Sequence, residues 1–220
     1  MRATVVVCAG LALLATAGSA QQLSHSGSWE GEFEIFQYSF SYGEGHNYVE
    51  NRDIVARDVE VWTYEYRLYQ NPAGVAREEL LHTNRTLSVG GPAGVKVMDY
   101  RRGVGIAFSK GGTQATEGPL DPPGPSTSLE ARRILGFPCR GVQYRWTTFQ
   151  HSTAVLQRWS AQNSNFKVPL LQITWLADKD GALLGLTVEV VSHLEEVHDL
   201  PATLFEWPKG LSVLRTPLIQ

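Results

Sequence analysis

The sequence predicts a mainly β protein, one strongly curved antiparallel sheet with little helix, carried behind a cleavable export signal. Three observations point there. Aromatic and β-branched residues alternate with polar ones at the two-residue period of strands over much of the chain. In two long runs that alternation changes phase, the mark of an inserted residue that bends a strand. No segment longer than about eight residues keeps a helical period.

The chain opens with Met1-Arg2-Ala3-Thr4 and the uninterrupted small and apolar run Val5–Ala15. One positive charge followed by such a run is the pattern of a secretory signal peptide. Small residues at Ala15/Ala17 and at Gly18/Ala20 define two cleavage positions, and the polar Gln21-Gln22 favours the cut after Ala20. A retained anchor needs about 20 apolar residues, more than this run provides. Cys8 follows Val7 with too little sequence before it for a lipoprotein signal. Residues 1–20 are therefore read as a signal and 21–220 as a single β-rich domain, exported to the periplasm or the exterior.

No later stretch is long and apolar enough to cross the hydrocarbon, so no integral membrane segment is expected once the signal is cleaved. Removing Arg2 leaves 18 of the 19 basic residues against 22 acidic ones. That balance creates no field for phosphate backbones, and nucleic acid is excluded as an expected partner. Cys139 is then the one remaining cysteine, so stability must come from packing rather than from an internal disulfide. Beside Phe137, Pro138 and Val142 it reads as a small buried hydrophobe.

From Trp29 to Tyr42 the apolar residues are first odd-numbered (Trp29, Phe33, Ile35) and then even-numbered (Phe36, Tyr38, Phe40, Tyr42). This predicts a long strand with a bulge near Ile35-Phe36. The same shift separates Val59 and Val61 from Trp62, Tyr64, Tyr66 and Leu68. Strands follow at Glu79–His82, Arg85–Val89, Val95–Arg101 and Val104–Ser109, the last two joined by a tight Arg102-Gly103 turn. Residues 111–128, with four glycines and four prolines, read as an irregular loop that could act as a lid. Ser128–Arg133 reads as one helical turn. The second half gives strands at Phe137–Thr148, Ala154–Ala161, Pro169–Ala177 and Leu183–His193, the last two a hairpin around Asp178-Lys179-Asp180-Gly181.

Two short motifs frame this second half: Ile134-Leu135-Gly136-Phe137-Pro138-Cys139, and Pro201-Ala202-Thr203-Leu204-Phe205-Glu206-Trp207-Pro208-Lys209-Gly210. With the tryptophan-bearing strand around Trp159 and the Asp-Gly hairpin between them, residues 134–213 resemble a family of exported bacterial proteins of unknown function. In that family a Leu-Gly-Tyr/Phe-x-Cys element precedes a closing Leu-Phe-Glu-x-Pro-x-Gly. Those proteins are similar to the outer-membrane lipoprotein carriers, and the resemblance implies a half-barrel around an apolar concavity. A carrier closes its cavity with helices, and no helix of that length is predicted here.

No catalytic, metal or cofactor site emerges. His193-Leu194-Glu195-Glu196-Val197-His198-Asp199 is rich in metal-binding types, but its two histidines diverge on a strand and on a helix alike. It reads as a solvated connection. No Gly-x-Ser-x-Gly element occurs, and the glycines at 91–94 and 103–106 lack a phosphate cradle's strand-turn-helix setting. Glu30, Glu32 and Glu34 read as the solvated face of a strand. Asn84-Arg85-Thr86 matches the glycosylation sequon, which matters only in a eukaryotic host.

The aromatic strands remain. Phe36, Tyr38, Phe40, Trp62, Tyr64, Tyr66, Trp146 and Trp175 are the candidate ligand-binding residues, as lining of a concave apolar face. The leading expectation is non-catalytic binding of an apolar small molecule, a lipid or an extended polypeptide. The alternatives are an envelope module with a filled core that engages another protein, and a hydrolase without a recognisable motif.

Overall fold

A computed structural model describes residues 27–41, 58–85, 94–148 and 151–215. The expected signal at 1–20, Tyr42 and residues 86–89 of the strand expected at Arg85–Val89 lie outside the described residues. Among the described residues twelve strands form one sheet: β1 (Ser28–Ser41), β2 (Asp58–Gln70), β3 (Val75–Thr83), β4 (Val95–Asp99), β5 (Val104–Phe108), β6 (Gln114–Pro119), β7 (Ser126–Ile134), β8 (Phe137–Thr147), β9 (Thr153–Ala161), β10 (Leu171–Ala177), β11 (Leu183–Val197) and β12 (Ser212–Arg215). Their order is β12-β6-β5-β4-β3-β2-β1-β11-β10-β9-β8-β7, open at both edges. Every neighbouring pair is antiparallel except β12 on β6, which is parallel. Among the described residues the helical element is a single 3-10 turn at Ala202–Phe205.

Curvature follows from contacts between strands that are remote in that order. β6 and β9 stand eight places apart. Yet Arg158 of β9 donates from Nη1 to Asp121 at 2.6 Å and from Nη2 to the Leu120 carbonyl at 2.7 Å, just beyond β6. The sheet wraps so that its two arms, β3–β6 and β9–β11, face each other.

The bulges sit elsewhere than expected. β1 and β2 pair without interruption from Trp29↔Gln70 to Ser41↔Asp58, so nothing is inserted at Ile35-Phe36 or at Val61-Trp62. The extra residues lie in the partner strands. Ser192 is skipped where Glu32↔His193 gives way to Phe33↔Val191, and Leu81 where Glu65↔His82 gives way to Tyr66↔Leu80. The phase change within β1 instead marks a strand half-buried on both faces, since Ile35 and Phe36 are both partly covered.

The expected loop at 111–128 contains β6, paired to β5 and β12. Proline is tolerated because Pro119 ends the strand. The helical turn expected at Ser128–Arg133 belongs to β7, an edge strand whose exposed residues need no apolar alternation. The expected connection at 193–199 is strand up to Val197, paired to β1 as far as Ser28.

Two apolar clusters cover the sheet. The larger gathers Trp29, Phe33, Tyr66, Leu68, Trp159 and Phe166. Part of it is the β9–β10 connection, which crosses to the first strands. There Asn165 accepts a hydrogen bond from Trp29 Nε1 at 2.6 Å and donates to the Gly27 carbonyl at 2.9 Å. Phe166 packs edge-on against Trp29, with ring centroids 5.6 Å apart. The second cluster, Val75, Val95, Val97, Ile106 and Ala115, is sealed by Phe205. Burying such a phenylalanine is worth about 1.5–3 kcal/mol. Arg77 Nη1 ties the same segment down through the Leu204 carbonyl at 3.2 Å. The Leu204-Phe205-Glu206-Trp207 motif is therefore a cover for the β3–β6 arm. Cys139 is fully buried, donates to the Phe137 carbonyl at 3.4 Å, and has its thiol pushed up by burial.

Candidate ligand-binding cavity

Residues paired in register share a face of the sheet. One such row runs Gly31, Leu68, Glu78, Lys96, Ala107, Thr116 across β1 to β6. A second runs Ile35, Glu189, Gln172, Arg158 across β1, β11, β10 and β9. Gly31 and Ile35 are four residues apart in β1, so both rows lie on the same, concave face. Curvature brings them together around a cavity of about 280 Å³. Phe33, Met98, Ile106, Leu120, Val168 and Val191 supply apolar walls. Glu78, Lys96, Arg158, Gln172 and Glu189 supply its polar groups.

Glu78 is 5% exposed. Lys96 Nζ lies 3.3 Å from its Oε2, yet that oxygen has no aligned hydrogen-bond donor. Burial pushes the Glu78 carboxyl up, against the pull of the Lys96 charge, while the Glu78 carboxylate raises the Lys96 ammonium. Burial likewise pushes Tyr66 up to about 12, and raises Tyr100 in the cavity wall. On the facing row the polar groups satisfy one another. Arg158 Nε donates to Gln172 Oε1 at 2.6 Å, and Gln172 Nε2 donates to Glu189 Oε1 at 2.8 Å. The contrast between the two rows is the main electrostatic feature of the site.

The eight aromatic candidates divide evenly between the two faces. Odd-numbered residues of β1 stand opposite even-numbered residues of β2 throughout. The even-numbered Phe36, Tyr38 and Phe40 therefore point away from the even-numbered Trp62, Tyr64 and Tyr66. Trp175 pairs with Leu186, as does Tyr38, and so joins the outer group. Trp146 pairs with Ala154, which pairs with Leu176 opposite Gly185, placing it on the inner face with Ser39. None of the eight lines the cavity. Tyr66 comes nearest, stacked on the lining residue Phe33 at 4.8 Å and 10°. Trp62 instead lies under the Arg85 guanidinium, 4.5 Å from its ring centre.

The residues that sequence reasoning missed are the charged ones. Lys96 sits between Val95 and Val97, both fully buried. A lysine flanked by two such valines in a strand was the available signal that both faces are covered. The described histidines lie away from the cavity, and His193 and His198 are not buried. Among the described residues no group of three or more His, Cys, Asp or Glu could hold a metal ion. No helix among them is long and apolar enough to cross a membrane.

No protein-family model and no curated protein matches the chain. Among solved structures, an uncharacterized conserved protein from Thermus thermophilus is similar at 16% identity and a TM-score of 0.42, covering 87% of this chain and 91% of its own. A domain from Vibrio parahaemolyticus, described as outer membrane lipoprotein-sorting, aligns at 10% identity and a TM-score of 0.36, covering 81% and 89%.

Proposed function

We propose that this is an exported, non-catalytic binding protein that holds an apolar ligand in the concave cavity between its two sheet arms. The observation that carries the reading is the cavity itself, about 280 Å³ with predominantly apolar walls and a few polar groups. That is the usual make-up of small-molecule sites, whose volumes run from about 300 Å³ upward. The size suits a short alkyl chain better than a whole lipid. An extended polypeptide would more naturally add to a sheet edge than enter between the arms. Export rests on residues 1–20.

The test is native mass spectrometry of the chain from Gln21 after incubation with a lipid extract. A single bound apolar molecule is expected. No adduct, together with no uptake of the neutral probe N-phenyl-1-naphthylamine, would overturn the reading. It would favour an envelope module with a filled core.

A further inference from the structure

We propose that the cavity selects its ligand by the polar end: a hydrogen-bond donor without negative charge, such as an alkylamine or an alcohol, docking on Glu78. This rests on the binding reading above and goes beyond it. Glu78 lines the cavity, is 5% exposed, and its Oε2 has no aligned donor. The Lys96 ammonium at 3.3 Å meets its charge without a well-aligned hydrogen bond, and a ligand N–H or O–H would add one.

The carboxylate at the docking point disfavours an anion. Nε, Nη1 and Nη2 of Arg158 are each engaged, by Gln172, Asp121 and the Leu120 carbonyl. Lys96 stands in the fields of both Glu78 and Glu189. A carboxylate docking on Glu78 meets that carboxylate directly and Glu189 beside it, with Lys96 already paired to Glu78 and Arg158 to Asp121. An uncharged or cationic donor meets no such repulsion from Glu78, while Phe33, Met98 and Val168 line the space for its chain.

The test is calorimetric titration of the chain from Gln21 with octylamine, 1-octanol and octanoate below their micellar concentrations. Octylamine and 1-octanol are expected to bind about tenfold tighter than octanoate, the scale of one charge-assisted hydrogen bond. Glu78→Gln should weaken octylamine about tenfold and strengthen octanoate, because it frees Lys96. Equal affinities, or octanoate binding tightest, would overturn the inference while leaving the binding reading intact. Absence of binding by all three would count against that reading itself. The wild-type ranking decides the question even if Glu78→Gln does not fold.

Discussion

Glu78 of β3 and Lys96 of β4 stand directly opposite each other, and the ammonium lies 3.3 Å from the carboxylate inside the cavity. Removing one partner strands the other's charge. Lys96→Met should cost about 2 kcal/mol, below the about 3–5 kcal/mol of a fully buried pair, because 40% of the Lys96 side chain is accessible. The double variant Glu78→Gln/Lys96→Met should regain most of that loss. Urea unfolding of both decides it; a single variant as stable as the wild type contradicts the role of the pair.

Tyr66 predicts an alkaline weakness. An unfolded tyrosine releases its proton near a pH of about 10, whereas the buried Tyr66 holds its proton to about 12. Between those values the unfolded chain binds fewer protons, so stability falls as pH rises, by about 1.4 kcal/mol per unit for this group at most. Lys96, also raised, acts in the same direction. Unfolding followed from pH 8 to 11 should show a steeper decline for the wild type than for Tyr66→Phe. Parallel curves would refute this.

Asn165 is a clasp between the β9–β10 connection and the first strand. Asn165→Ala deprives Trp29 Nε1 and the Gly27 carbonyl of their partners. The expected loss is about 2–3 kcal/mol, with a red-shifted tryptophan emission as Trp29 becomes hydrated. Unchanged emission and stability would show that the clasp holds nothing in place.

Gly141 is fixed by packing rather than by a turn. A Cβ there would stand 2.6 Å from Trp159 Nε1 and 2.8 Å from Leu129 Cβ. Gly141→Ala must push β7 or the indole away, at a cost of about 1–3 kcal/mol. It should also disturb the bond from Trp159 Nε1 to the Glu130 carbonyl, 3.1 Å long. Thermal unfolding checks the first effect and near-ultraviolet circular dichroism the second.

The strands were legible wherever apolar and polar residues alternate between clear turn residues, as around the Asp178–Gly181 hairpin. There Asp178 Oδ1 accepts the Asp180 and Ala182 amides, both at 2.9 Å. They were illegible at β6, a short strand set among glycines and prolines, and at β7, where an edge position removes the apolar alternation. Bulges were misplaced because a change in which face is covered mimics an inserted residue in β1, whereas Ser192 and Leu81 announce nothing.

The cavity was hidden for a different reason. Its polar groups, from Glu78 to Glu189, meet only once the two arms wrap, and in sequence each looks like a solvated strand residue. Tyr66 came close because it stacks on the cavity wall. Phe36, Tyr38 and Phe40 went to the other face through a register that no single strand encodes.

The most direct measurement is fluorescence titration with N-phenyl-1-naphthylamine of the chain from Gln21 and of its Ala107→Trp variant. Ala107 lines the cavity, so the indole fills it. Saturable one-to-one uptake by the wild type, weakened at least about tenfold in a folded Ala107→Trp, is the expected result. No saturable uptake, or uptake equal in the two proteins, would contradict binding in this cavity.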